Sequence, residues 1–172
     1  MAGHRLFFAL SPPQPLRQRL SAAAQRVVTA QRAPGRQTAT AQLHLTLAFL
    51  GELEGDEPIA RARAAGDRVR ADVFSVRIDQ AGSFGSTWFL ASAEPPPELV
   101  ALQSQLASEL AQAGFALEAR AFHPHLTFQR KAEHALPPMR VAPIRWLAET
   151  FTLFESIPNE RRYLQLASWN LR

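Results

Sequence analysis

The sequence predicts an α+β fold built as a duplicated unit whose two halves face each other, and two observations predict it. The pattern His-x-Thr followed by an apolar residue occurs twice, as His44-Leu45-Thr46-Leu47 and His125-Leu126-Thr127-Phe128, about half a chain apart. Each copy reads as a strand and follows a stretch of helical character, so a helix-then-strand unit recurs along the chain.

The elements come in order. Arg5-Leu-Phe-Phe-Ala-Leu10 reads as a first strand. Ser11 suits an N-cap with Pro12 at the first helical position, opening a helix to about Gln31. Residues 32–42, with Pro34 and Gly35, are loop-like, and residues 43–50 form the first motif strand, closed by Gly51 and an acidic stretch. A second helix is expected over residues 58–71. Residues 73–79 and 87–93 read as strands flanking a turn at Gly82–Gly85, which makes a hairpin. Pro95, Pro96 and Pro97 break the chain near its middle. Leu99, Leu102, Leu106 and Leu110 then fall at helical spacing within residues 98–113, and Gly114 suits the position just past a helix end. Strands are expected at residues 115–120 and 125–128, a proline-bearing loop at 132–143, and closing strands at 150–155 and 163–171.

At 172 residues with 47% hydrophobic composition, the chain reads as a single two-lobed domain spanning residues 1–172 with a substantial core. The absence of cysteine excludes disulfides, thiolate nucleophiles and zinc-finger or iron–sulfur ligation by the chain. The apolar run at residues 6–10 is too short for a signal peptide and is ended by Pro12 and Pro13, so a soluble cytoplasmic protein, without membrane association and monomeric, is the expectation. The net charge is +4, and every basic residue except Lys131 is arginine. Guanidinium groups bind phosphate in bidentate fashion and stack on bases, which makes nucleic acid a plausible partner; solvated arginines from compositional bias are the simpler account of most of them.

The duplicated motif carries the chemistry. On a strand, residues i and i+2 share a face roughly 6–7 Å apart. Each copy therefore sets a histidine beside a threonine hydroxyl, while Leu45, Leu47, Leu126 and Phe128 point to the opposite face as anchors. Two histidines can supply an acid and a base, and two hydroxyls can hold an anion between them. One copy alone reads as an ordinary strand histidine; two in matching halves point to one shared site. A metal centre is the main rival, with His123, His4 and His134 as further candidates. No carboxylate stands at a ligand-like offset from either motif histidine, and threonine is a poor zinc partner. No Gly-x-Ser-x-Gly elbow appears, and Gly82-Ser-Phe-Gly85 lacks a P-loop lysine. Arg130, five residues after His125, points away from the His125 face if its strand runs on unbroken. Phe8, Trp88, Tyr163 and Trp169 could stack a base, but core packing suits them better, except that the Tyr163 hydroxyl can also reach a phosphate.

These residues resemble the two-histidine phosphoesterase superfamily, and within it the bacterial and archaeal RNA 2′,3′-cyclic phosphodiesterases, also called 2′-5′ RNA ligases. The resemblance runs through residues 5–10, 43–52, 122–130, 151–156 and 163–171 in order. Phe128 stands where leucine is usual, and residues 158–162 lack a glycine often seen there. The resemblance implies a bilobal, pseudo-twofold phosphoesterase domain, its antiparallel sheets lining a central cleft with helices outside, and no metal or nucleotide cofactor. It implies hydrolysis of a terminal RNA 2′,3′-cyclic phosphate to a 2′-phosphomonoester, with RNA ends or nucleotides carrying that group as partners. It gives His44 the proton-donor role and His125 the acceptor role, with Thr46 and Thr127 on the phosphate oxygens and Arg130 and Tyr163 as substrate contacts. A non-hydrolytic nucleotide- or RNA-binding module, and 2′-5′ ligation or cleavage on the same site, are the alternatives.

Overall fold

The computed structural model describes residues 3–172. Their strands form two antiparallel sheets. The first comprises β1 (Gly3–Leu10), β3 (Leu45–Glu54), β8 (Thr150–Ile157) and β9 (Arg162–Asn170), in the order β3-β1-β8-β9. The second comprises β2 (Arg36–Gln37), β4 (Phe74–Phe84), β5 (Thr87–Ala91), β6 (His125–Arg130) and β7 (Met139–Ala148), in the order β2-β6-β5-β4-β7. Setting β2 aside, the two orders superpose as β3-β1-β8-β9 on β6-β5-β4-β7. The duplication expected from the motifs is thus a property of the sheets. The strands of the second half, β4 to β7, are consecutive in sequence, whereas those of the first are not, because β8 and β9 return from the far end of the chain to join β1.

Three α-helices complete the described residues: α1 (Gln14–Gln31), α2 (Glu57–Arg68) and α3 (Pro97–Gln112). α1 packs on β7, whereas α3 packs on α2 and β3. Each helix preceding a motif strand therefore lies chiefly against the sheet that the strand does not join, α3 touching β4 to a lesser extent. The leucine stripe of α3 (Leu99, Leu102, Leu106, Leu110) is fully buried, and Gly114, at φ +85°, takes the left-handed turn that ends this helix. No described helix is long and apolar enough to cross a membrane.

Several boundaries differ from the sequence reading. α1 starts at Gln14, with Pro13 extended at its cap and no side-chain cap bond, so Ser11 does not cap it. Pro13 drives Pro12 out of the helical region, which delays the start. The first hairpin strand runs through Gly82, and the turn itself falls at Gly85–Ser86. Residues 115–124 are irregular rather than a strand and have no partner in either sheet. Residues 139–148, expected as loop over their first half, form β7. Pro143 is tolerated there because β7 is an edge strand and its pairing with β4 is interrupted between Ile144 and Arg140.

Both motif strands carry a β-bulge directly after the threonine. On β3 the register steps from Ala9↔Thr46 to Phe8↔Ala48, and on β6 from Phe89↔Thr127 to Trp88↔Gln129. Leu47 and Phe128 are the extra residues, so two consecutive side chains are buried at each bulge: Leu47 with Ala48, and Phe128 with Gln129. Alternation then resumes out of phase. The residue five after each histidine, Phe49 or Arg130, is thereby turned back to the motif's own face, where both border the same cleft.

Candidate active site

Leu45 and Leu126 anchor the two motifs, at 1% and 0% exposure, and hold the alternate face of each strand toward the cleft between the sheets. That cleft has a volume of about 700 Å³. Thr46, His125, Thr127 and Arg130 border it, together with Phe49, Phe84 and the irregular segment at residues 117–123. β3 and β6 approach each other across it.

The two histidines are held in matching ways. His44 Nδ1 lies 2.7 Å from the Gln42 carbonyl, and His125 Nδ1 lies 2.5 Å from the His123 carbonyl, each two residues back along the chain. A carbonyl only accepts, so each Nδ1 carries the proton and donates it. In the neutral ring, Nε2 is then the nitrogen with a free lone pair, and in the cation it is the one able to give a proton away. Aromatic rings fix both imidazoles further. His44 sits 5.0 Å from the Phe7 ring and meets Tyr163 edge-on at 5.1 Å. His125 meets Phe84 edge-on at 5.1 Å and Phe89 at 5.4 Å.

Burial lowers the proton affinity of both histidines below the usual 6.5; the carbonyl bond opposes this in each case, and the positive charge of Arg130 adds to the lowering. His125 further lowers His44, and His123 further lowers His125. Burial raises the Tyr163 phenol, against the pull of Arg130 and Arg5, so its hydroxyl stays protonated and able to donate.

The fold brings together all six residues that the sequence singled out. Thr46, His125 and Thr127 border the cleft, and Arg130 joins them through the β6 bulge, against simple alternation; His44 lies near enough to feel the charges of Arg130 and His125, and Tyr163 stands against His44. The other aromatic candidates belong elsewhere. Phe8 and Trp88 are fully buried, and Trp169 stacks on Phe151 and donates to Asp67 at 2.7 Å. His4 pairs with Glu155 at 2.7 Å, away from the cleft, and His134 packs against Trp88. Among the described residues, no group of three or more His, Asp or Glu side chains is gathered as a metal site would require. Sequence reasoning missed Phe7, Phe49, Phe84 and Phe89. Phe49 was visible in one way: it matches Arg130 when the two motifs are aligned on their histidines.

Comparison with known proteins places the chain in a family. The 2′-5′ RNA ligase superfamily model matches residues 12–156. The chain is 34% identical to the RNA 2′,3′-cyclic phosphodiesterase of Escherichia coli (strain K12), covering 97% of this chain and 96% of that protein. Among solved structures it is similar to E. coli LigT in its apo form, with a TM-score of 0.86 at 30% identity, over 99% of both chains. LigT complexed with 3′-AMP matches over the same shares, with a TM-score of 0.83 at 32% identity.

Proposed function

The chain belongs to the 2′-5′ RNA ligase superfamily, and on that premise we propose that it hydrolyses the terminal 2′,3′-cyclic phosphate of RNA to a 2′-phosphomonoester. The carrying observation is the matched pair of imidazoles, each with Nδ1 committed to a backbone carbonyl and Nε2 left for proton exchange beside a threonine hydroxyl. The similarity to an RNA 2′,3′-cyclic phosphodiesterase, and to a structure of LigT with a nucleotide monophosphate, supports the substrate class.

The arrangement accounts for each step of the chemistry. Water attacks phosphorus on the side opposite O3′, and Nε2 of neutral His125 takes its proton. The P–O3′ bond breaks as Nε2 of cationic His44 protonates the leaving oxygen. One water is consumed, and the 2′-phosphate remains. His44 as donor and His125 as acceptor rest on the family resemblance, since the anchoring of the two rings is the same. Thr46 and Thr127 hydrogen-bond the non-bridging oxygens as charge shifts onto them, and Arg130 offsets that charge. The Tyr163 hydroxyl donates to the same phosphate. Lowered proton affinities favour the neutral form of both histidines before substrate arrives. The anionic phosphate then raises both, so that the donor takes up its proton from solvent.

The test is to incubate the protein with an oligonucleotide ending in a 2′,3′-cyclic phosphate and to locate the product phosphate by phosphorus NMR. A 2′-phosphate is expected. A 3′-phosphate would reverse the cleaved bond, and tight binding without turnover would make the protein a binding module.

A further inference from the structure

β2 is only two residues long, yet several contacts fasten it to β6. Thr38 N–H donates to the Phe128 carbonyl at 2.8 Å. The fully buried Gln129 side chain donates to the Ala33 carbonyl at 3.2 Å. Gly35 lies so close over Gln129 that a Cβ there would come within 2.9 Å of its side chain. These contacts fix the register Arg36↔Arg130, with Gln37↔Gln129 beside it. Residues directly opposite on antiparallel strands share a face, so the exposed Arg36 side chain stands next to that of Arg130, which borders the cleft.

Two like charges placed directly opposite oppose the pairing of their strands. Arg120, the other arginine bordering the cleft, pairs with Glu118, as Arg5 does with Glu52 and Arg162 with Glu160 elsewhere on the first sheet. The other opposed arginine pair, Arg77↔Arg145 on β4 and β7, is relieved by Asp79 at 3.2 Å from Arg77. Among the described residues, neither Arg36 nor Arg130 has such a partner. A short strand held in place to bring two unpaired guanidinium groups together is suited to an anion larger than one phosphate.

We propose that Arg36 binds the phosphodiester immediately 5′ of the terminal nucleotide, extending the Arg130 phosphate site outward and selecting an RNA strand over a free cyclic mononucleotide. This rests on the reading of the cleft as a cyclic-phosphate hydrolase. Arg130 faces the reacting phosphate, whereas Arg36, on the outer strand, meets the next phosphate along the chain. A mononucleotide has nothing to offer it.

The experiment compares a 2′,3′-cyclic mononucleotide with a trinucleotide ending in the same cyclic nucleotide, using wild type, Arg36→Gln and Arg36→Lys. Turnover of the mononucleotide by wild type checks the underlying reading separately. Arg36→Gln should leave mononucleotide kcat/KM within about twofold and lower the trinucleotide value by about ten- to a hundredfold, the range for a charge-assisted contact. The salt dependence of trinucleotide kcat/KM should lose about 0.7 of a log unit of slope, as for one single-strand phosphate contact, and Arg36→Lys should restore that slope. Equal losses on both substrates, or no loss on the trinucleotide, would overturn the proposal. If wild type turns over neither substrate, anisotropy with the trinucleotide ending in a 2′-phosphate decides: weaker, less salt-dependent binding by Arg36→Gln upholds the subsite, and unchanged binding rejects it.

Discussion

Arg130→Gln removes one positive charge from the site, and the β6 bulge determines whether the histidines feel the loss. Were β6 to run without its bulge, Arg130 would face away from His125 and its removal would leave both histidines undisturbed. With the bulge, the guanidinium lowers the proton affinity of His44 and His125 and that of the Tyr163 phenol. All three midpoints should therefore rise in Arg130→Gln. Burial, the larger cause, is untouched, so the histidines should move back toward 6.5 without passing it. The two limbs of the kcat/KM profile report the free protein's base and acid, so the whole bell should move to higher pH. The height of the bell should fall as well. A charge-assisted hydrogen bond to phosphate contributes about 1.5–3 kcal/mol, or roughly ten- to 150-fold in kcat/KM. NMR titration of the imidazole protons gives the midpoints directly, and steady-state rates across pH give the bell. Unshifted histidine midpoints with kcat/KM within about twofold of wild type would refute the placement of Arg130 in the site.

His44→Ala and His125→Ala should each lower kcat/KM by about 10²–10⁴-fold, and the double variant should fall by less than the product, because both act on one event. His44→Ala should remove mainly the alkaline limb of the pH profile and His125→Ala mainly the acidic limb, and the opposite pattern would exchange donor and acceptor. Inorganic phosphate added to the resting protein should raise both histidine midpoints in the same NMR titration, since an anion between them favours the charged rings. Activity should survive exhaustive dialysis against EDTA; loss that is restored by one divalent ion would replace the acid–base mechanism with a metal one. Gly66→Ala should destabilise the fold by about 1–3 kcal/mol in a denaturant titration, because the new Cβ would lie 2.5 Å from the Trp169 ring, itself held by Phe151 and Asp67.

The histidines and threonines are legible in the chain because strand alternation is local: i and i+2 share a face whatever the rest of the molecule does. The leucine stripe of α3 and its glycine terminus are legible for the same reason, since helical spacing and a left-handed turn are set within a few residues. β7 is not legible, because Pro143 argues against a strand unless that strand is an edge, and edge position depends on which strands pair. Residues 115–120 mislead in the reverse sense, as their alternation finds no neighbouring strand to bond.

The face on which Arg130 and Phe49 lie is a fact of the same kind. A bulge is one surplus residue measured against a partner strand, and the partners, β5 for β6 and β1 for β3, lie more than thirty residues away in sequence. The sequence by itself determined the two histidines proposed to react and their pairing with hydroxyls. Only the tertiary structure decided which arginines join them, because a side chain's face beyond a bulge is set by long-range hydrogen-bond register, which local sequence does not encode.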